Sequence, residues 1–138
     1  MKSRLIYWLT YAGMWLLALL PFKVLYILSD GLCFLMHHVV HYRRRVVRAN
    51  LCNAFPEKSA AELRDIEREF YRYICDYMLE EVKMLRMSFK ELCRRMEYDN
   101  KEEYLAMIEK HGGIVLLIPH YANFEWITGM SSIMQEGD

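Results

Sequence analysis

Gly112-Gly113-Ile114-Val115-Leu116-Leu117-Ile118-Pro119-His120-Tyr121-Ala122-Asn123-Phe124-Glu125 joins a glycine turn, a continuous apolar run and a short polar segment. Five consecutive branched aliphatic residues directly after Gly-Gly read as a strand buried on both faces. Such a strand belongs in the middle of an α/β sheet. Residues 124–134 then read as a helix. Active sites of α/β sheets lie at the carboxyl ends of the strands, so the loop at 119–125 occupies a position where chemistry is expected.

His120 and Glu125 are the two groups in that loop that can move or hold a proton. Five residues apart, they would lie about 140° apart on a regular helix and could not share a face. They can meet if His120 sits in the loop and Glu125 on the first helical turn. A neutral imidazole can then take a proton from a hydroxyl. A carboxylate on the other ring nitrogen fixes the tautomer and stabilises the imidazolium, as in the serine proteases but with the substrate's own hydroxyl as nucleophile. From spacing alone, a histidine that merely ends a strand remains open beside this dyad. One His and one Glu supply too few ligands for zinc, and no H-E-x-x-H is present.

Toward the N-terminus the pattern is helical. Ser59 with Glu62 and Ser88 with Glu91 are capping-box pairs, and Asn100 with Glu103 is a similar start signal. Leu63, Ile66, Phe70, Ile74, Tyr77, Met78, Val82 and Leu85 recur at three- and four-residue steps, which predicts an amphipathic helix over 60–86. Arg64, Glu67, Arg68 and Glu81 fall on its other face, as solvated charges. A third helix ends at Gly112-Gly113, where glycine supplies a left-handed cap. Met96 to Tyr98 is the one weak candidate for a second strand. A central strand with so little sheet around it marks the chain as the N-terminal part of a larger protein.

The N-terminus is of another kind. Leu5 to Phe22 runs without a charge, and eighteen helical residues span about 27 Å, close to the apolar thickness of a bilayer. Tyr7, Trp8 and Tyr11 suit an interfacial belt. A second apolar stretch, Val24 to Tyr42, is interrupted by Asp30-Gly31 and carries His37, His38 and His41. The two stretches fit either a single helix that spans or embeds, with the second stretch packed on the catalytic domain or lying at the interface, or a short hairpin with both ends in the cytoplasm. Arg43, Arg44, Arg45 and Arg48 follow, and by the positive-inside rule they stay in the cytoplasm, where they can face anionic headgroups. The three histidines read as interfacial or core packing rather than a metal site.

Charge divides the same way. Lys+Arg and Asp+Glu both number 18, for a net charge of zero, which argues against a nucleic-acid partner. Yet residues 1–48 hold seven basic residues and one acid, and 49–138 hold eleven and seventeen. With 54% hydrophobic and 26% charged residues, the chain is no disordered tail. Cys33, Cys52, Cys75 and Cys93 contain no C-x-x-C pair and read as free thiols of a reducing compartment.

The box His120-Tyr-Ala-Asn-Phe-Glu125 resembles the H-x-x-x-x-[D/E] box of glycerolipid acyltransferases. It is closer still to the His-Phe-x-Asn-Trp-Glu form of bacterial lipid A biosynthesis acyltransferases, the lauroyl/myristoyl transferases. Arg44-Arg45-Val46-Val47-Arg48-Ala49-Asn50-Leu51 with Ala54-Phe55-Pro56 resembles the Arg-rich run, Asn-Leu and Phe-Pro of the same family. Tyr121, Ala122 and Phe124 depart from its usual residues, and Pro119 precedes the histidine. Histidine, asparagine and acid are retained.

The resemblance implies an α/β acyltransferase of which this chain is the first part, with an anchor and interfacial segment over 1–42 and the start of the transferase domain over 43–138. It implies a fatty acyl thioester on acyl carrier protein as donor and a hydroxyl of a lipid A precursor as acceptor. His120 would be the base and Glu125 its orienting partner, with Asn123 bracing the loop or touching substrate. No metal or cofactor is implied. The site would lie on the cytoplasmic side of the bacterial inner membrane, and the 138 residues alone would be inactive. A related transferase acting on a lysophospholipid or aminolipid is the nearest alternative. A non-catalytic, membrane-anchored helical interaction protein is the other.

Overall fold

A computed structural model describes residues 2–129 of the chain. They divide into two compact units, one ending at Lys83 and one beginning at Met84. Each is helical.

The first unit starts with α1, Lys2–Leu19. It stops where it does because Pro21 cannot donate a backbone hydrogen bond and forces the preceding residue out of the helical region. Pro21 instead opens α2, Phe22–Phe34, its carbonyl accepting from Val24 N and Leu25 N at 3.0 and 3.1 Å. α2 runs on into a π-helical turn, Leu35–Val39, closed by Val40 N on the Leu35 carbonyl at 2.8 Å. His41 and Arg43 then take left-handed backbone angles, φ 54° and 50°, and turn the chain into α3, Arg44–Ala54. Non-glycine residues adopt that conformation only when their surroundings compensate for the cost. Part of that compensation comes from Tyr71, whose hydroxyl donates to the Tyr42 carbonyl between them.

α4, Ala60–Met84, is the spine of this unit. Its start is the expected capping box: Glu62 accepts from Ser59 N at 2.8 Å, and the Ser59 hydroxyl accepts from Glu62 N at 3.3 Å. α2 and the π turn lie antiparallel along it. The Tyr26 hydroxyl donates to Glu80 at 2.6 Å, the Cys75 thiol lies 3.7 Å from the Met36 sulfur, and His37 reaches Glu67 at 3.5 Å. The buried stripe of α4 is Glu67, Tyr71 and Cys75, one step round the helix from the stripe that periodicity marks. Phe70 and Met78 are 39% and 48% exposed instead.

Lys83, at the end of α4, donates to the carbonyls of Ala18 and Leu20, both at 2.8 Å. It thereby serves the orphan acceptors at the C-terminus of α1, where a cation is also favoured by the helix dipole. The rest of α1 has little cover: Leu5, Ile6, Trp8, Leu9 and Leu16 each keep more than half of their surface exposed.

The helix break changes the expected anchor. Uncharged helix extends only over Leu5–Leu19, about 22 Å. By length and composition, the helical stretch able to cross a bilayer among the described residues is Phe22–Val39, not Leu5–Phe22. That stretch, however, is packed along the charged helix α4.

The second unit contains α5, Phe89–Arg95, and α6, Lys101–His111. The Ser88 hydroxyl accepts from Glu91 N at 3.2 Å and caps α5 as expected. Asn100 makes no side-chain cap on α6; its backbone is left-handed. Gly112, at φ 72°, ends α6 in the left-handed cap that glycine suits.

The α/β expectation fails here. Residues 114–118 are irregular, and no strand occurs among the described residues. A strand is held by hydrogen bonds to a neighbour, and 96–98, the one candidate, is irregular as well. Val115 and Leu117 are 88% and 89% exposed, the opposite of a buried central strand. The described fold is all-helical. Of the helix expected over 124–134, a 3-10 turn covers Phe124–Gly129, and the remainder lies outside the described residues.

Candidate active site

The His box sits on a tight local frame. Tyr121 N donates to the Pro119 carbonyl at 2.8 Å, and Ala122 is left-handed at φ 52°. The chain thus reverses around His120 before entering the 3-10 turn. Trp126 N closes the first step of that turn on the Asn123 carbonyl at 3.0 Å. Trp126 is 6% exposed and forms part of the core of this unit, where the turn packs against α5.

His120 itself is exposed. Its ring stands edge-on to Phe124, centroids 4.5 Å apart. Glu125 is half-buried on the second residue of the 3-10 turn. His120 thus lies in the loop and Glu125 on the 3-10 turn that follows it.

The four arginines expected at the membrane surface divide into two pairs. Arg44 Nε donates to one oxygen of Glu67 at 2.9 Å, and Arg48 Nε to the other at 2.7 Å. Glu67 is 2% exposed. Its burial works to raise the carboxyl pKa, but the hydrogen bonds and charges of Arg48 and Arg44 outweigh that and hold it below the usual range. Arg43 and Arg45 are exposed, with no acidic partner among the described residues. Glu67, read from sequence as a solvated charge, is the centre of this cluster. Its one signal was its place four and eight residues before Tyr71 and Cys75, on a single helical face.

His37 stands 8% exposed against Glu67, with its Nδ1 3.2 Å from His38 Nε2. His37 thus packs against α4 while His38 and His41 are exposed; among the described residues no group of three or more His, Cys, Asp or Glu side chains converges on a metal position. The four cysteines are free.

A family model described as bacterial lipid A biosynthesis acyltransferase matches residues 1–136. The chain belongs to that family. It is 28% identical over 122 residues to a curated relative, the lipid A biosynthesis lauroyltransferase of Escherichia coli (strain K12). That alignment covers 86% of the chain but 40% of the relative, so the chain spans about two-fifths of the relative's length. No solved structure matches.

As a member of the lipid A acyltransferase family, the chain carries its His box and its arginine run on different units, one in each. The arginine run has a folding role in the first unit that the family motif does not reveal, because two of its four members are spent on Glu67.

Proposed function

We propose that the protein containing these residues is a lipid A acyltransferase that moves a fatty acyl group from an acyl carrier protein thioester to a hydroxyl of a lipid A precursor. The observation that carries this reading is the family match over 1–136, which includes the box His120–Glu125.

His120 takes the proton of the acceptor hydroxyl as that oxygen attacks the thioester carbonyl. The new C–O bond forms a tetrahedral intermediate, the C–S bond breaks, and the proton passes from His120 to the departing thiolate. Glu125 holds the imidazole in the required tautomer and offsets its charge while the proton is on it. Asn123 keeps the loop and the 3-10 turn in register. The solvent-open position of His120 supports this role, because the ring is accessible to a large lipid acceptor.

α1 embeds in the cytoplasmic face of the inner membrane by its exposed Leu, Ile and Trp side chains. Its aromatic cluster of Tyr7, Trp8 and Tyr11, with rings 5.2 to 6.3 Å apart, suits the headgroup boundary. Attachment there brings an insoluble acceptor and a soluble donor to one surface. The anchor and interfacial segment over 1–42 and the transferase portion over 43–138 divide this labour.

The experiment is mass spectrometry of lipid A from a strain lacking the gene. The full-length protein should restore a species heavier by one acyl chain, and His120→Ala should not. Restoration by a stably expressed His120→Ala protein rejects the mechanism. A missing chain on another lipid shifts the acceptor to a lysophospholipid or aminolipid.

A further inference from the structure

A largely apolar cavity of the first unit, about 720 Å³, lies between the π turn, α3 and α4. Met36, Val46, Val47, Phe70, Ile74 and Met78 line it. Its size falls within the range of ligand sites. Four of the large apolar side chains around it are left substantially exposed: Tyr42 at 52%, Val46 at 45%, Phe70 at 39% and Met78 at 48%. Apolar surface gathered in this way marks a binding site rather than scattered surface residues.

A second cleft, about 450 Å³, is lined by His41, Arg43, Arg44, Arg45 and Arg48. The two share Arg43 and Val46. An apolar chamber therefore opens beside a strongly basic one. Glu67 offsets one of the four guanidinium charges, through Arg44 and Arg48. Arg43 and Arg45 keep theirs. Arg43 is also held at φ 50°, a conformation unfavourable for arginine, and strained positions of this kind concentrate at ligand sites.

The geometry points to a site for one anionic phospholipid of the surrounding bilayer. One of its acyl chains lies in the apolar cavity, and its phosphate sits on Arg43 and Arg45. Charge complementarity selects the occupant: a neutral lipid would leave both guanidiniums unanswered, and a bare phosphate would leave the cavity unfilled. The site is built from the first unit alone and contains neither His120 nor Glu125. It would hold α3 and α4 at the surface independently of α1, giving attachment a dependence on lipid charge that an apolar helix alone does not give.

The test reconstitutes the full-length protein in vesicles with phosphatidylglycerol bearing a photoreactive group in one acyl chain, and maps adducts by mass spectrometry. Adducts are expected on Phe70, Ile74 or Met78 as well as on α1. Arg43→Asn with Arg45→Gln should reduce the cavity adducts at least tenfold and leave those on α1; asparagine is chosen because it tolerates the left-handed angle. Ile74→Trp, which fills the cavity, should do the same. Circular dichroism and thermal unfolding check that both variants are folded.

Equal cavity labelling from phosphatidylcholine with the same probe overturns the proposal, as does labelling confined to α1. Displacement by an equimolar free fatty acid reassigns the cavity to that ligand and equally overturns it. Acyl transfer is read in a separate assay, so failure here is distinguishable from failure of the catalytic reading.

Discussion

The carboxylate of Glu67 accepts from Arg48 Nε at 2.7 Å, joining α4 to α3 across nineteen residues of sequence. Arg44 takes the other oxygen. A buried carboxylate without these partners would be strongly penalised, so α3, which buries no side chain of its own, is positioned largely by this cluster.

Glu67→Ala should therefore destabilise the first unit. Removing one member of a fully buried pair costs about 3–5 kcal/mol; both arginines here reach solvent, which lowers the expected loss to about 2 kcal/mol. Chemical denaturation of the detergent-solubilised protein measures it. A change within about 0.5 kcal/mol would mean that α3 is held by other contacts.

The same cluster sets a pH dependence. The folded carboxyl lies below its ordinary value of 4.5, so the stabilisation is complete above the unfolded value. It declines as pH falls below about 4.5 and through the folded value. Glu67→Gln removes this titrating group. The difference in stability between wild type and Glu67→Gln should be constant from pH 6 to 8 and shrink on acidification; a constant difference down to pH 3 would contradict the assignment.

Thiol reactivity reports the burial of α4. Desolvation pushes the Cys75 thiol up to about 11, while Cys52 is exposed. The thiolate is the reactive form. At pH 7 a maleimide should modify Cys52 rapidly and Cys75 only after unfolding, as read by peptide mass mapping. Equal rates in the folded protein would show that α2 and the π turn do not cover α4.

Lys83 closes the other end of the unit. Lys83→Met keeps the length of the side chain but removes both donors to Ala18 and Leu20. The expected cost is about 1–3 kcal/mol, the scale of charge-assisted hydrogen bonds. Proteolysis near Leu20-Pro21 should accelerate correspondingly, and an unchanged cleavage rate would argue that the break is held otherwise.

These relationships divide by how local their causes are. The helix starts at Ser59 and Ser88 and the stop at Gly112 were legible because capping depends on residues three or four apart. The run Ile114–Ile118 misled because a central strand and an irregular apolar segment have the same composition. What distinguishes them is a hydrogen-bonding neighbour, which no single segment encodes. Glu67 was hidden for a similar reason: whether a helix charge is solvated depends on Arg44 and Arg48, which reach it only once the turn at His41–Arg43 has formed. Pro21 was legible as a break within the uncharged run Leu5–Phe22, because its effect on the backbone is local, and α1 ends before it. The His box was the reverse case. Position after the apolar run singled out His120 and Glu125, but spacing alone favoured an ordinary histidine, and only the resemblance turned the reading toward a dyad.

The central claim is that His120 is the base for acyl transfer. Its most direct measurement is the rate with which the purified full-length protein transfers an acyl group from acyl carrier protein to a lipid A precursor, compared between wild type and His120→Ala at matched expression and fold. The account predicts a loss of about 10²–10⁴-fold with the protein still folded. A folded His120→Ala enzyme within a fewfold of the wild-type rate would contradict it.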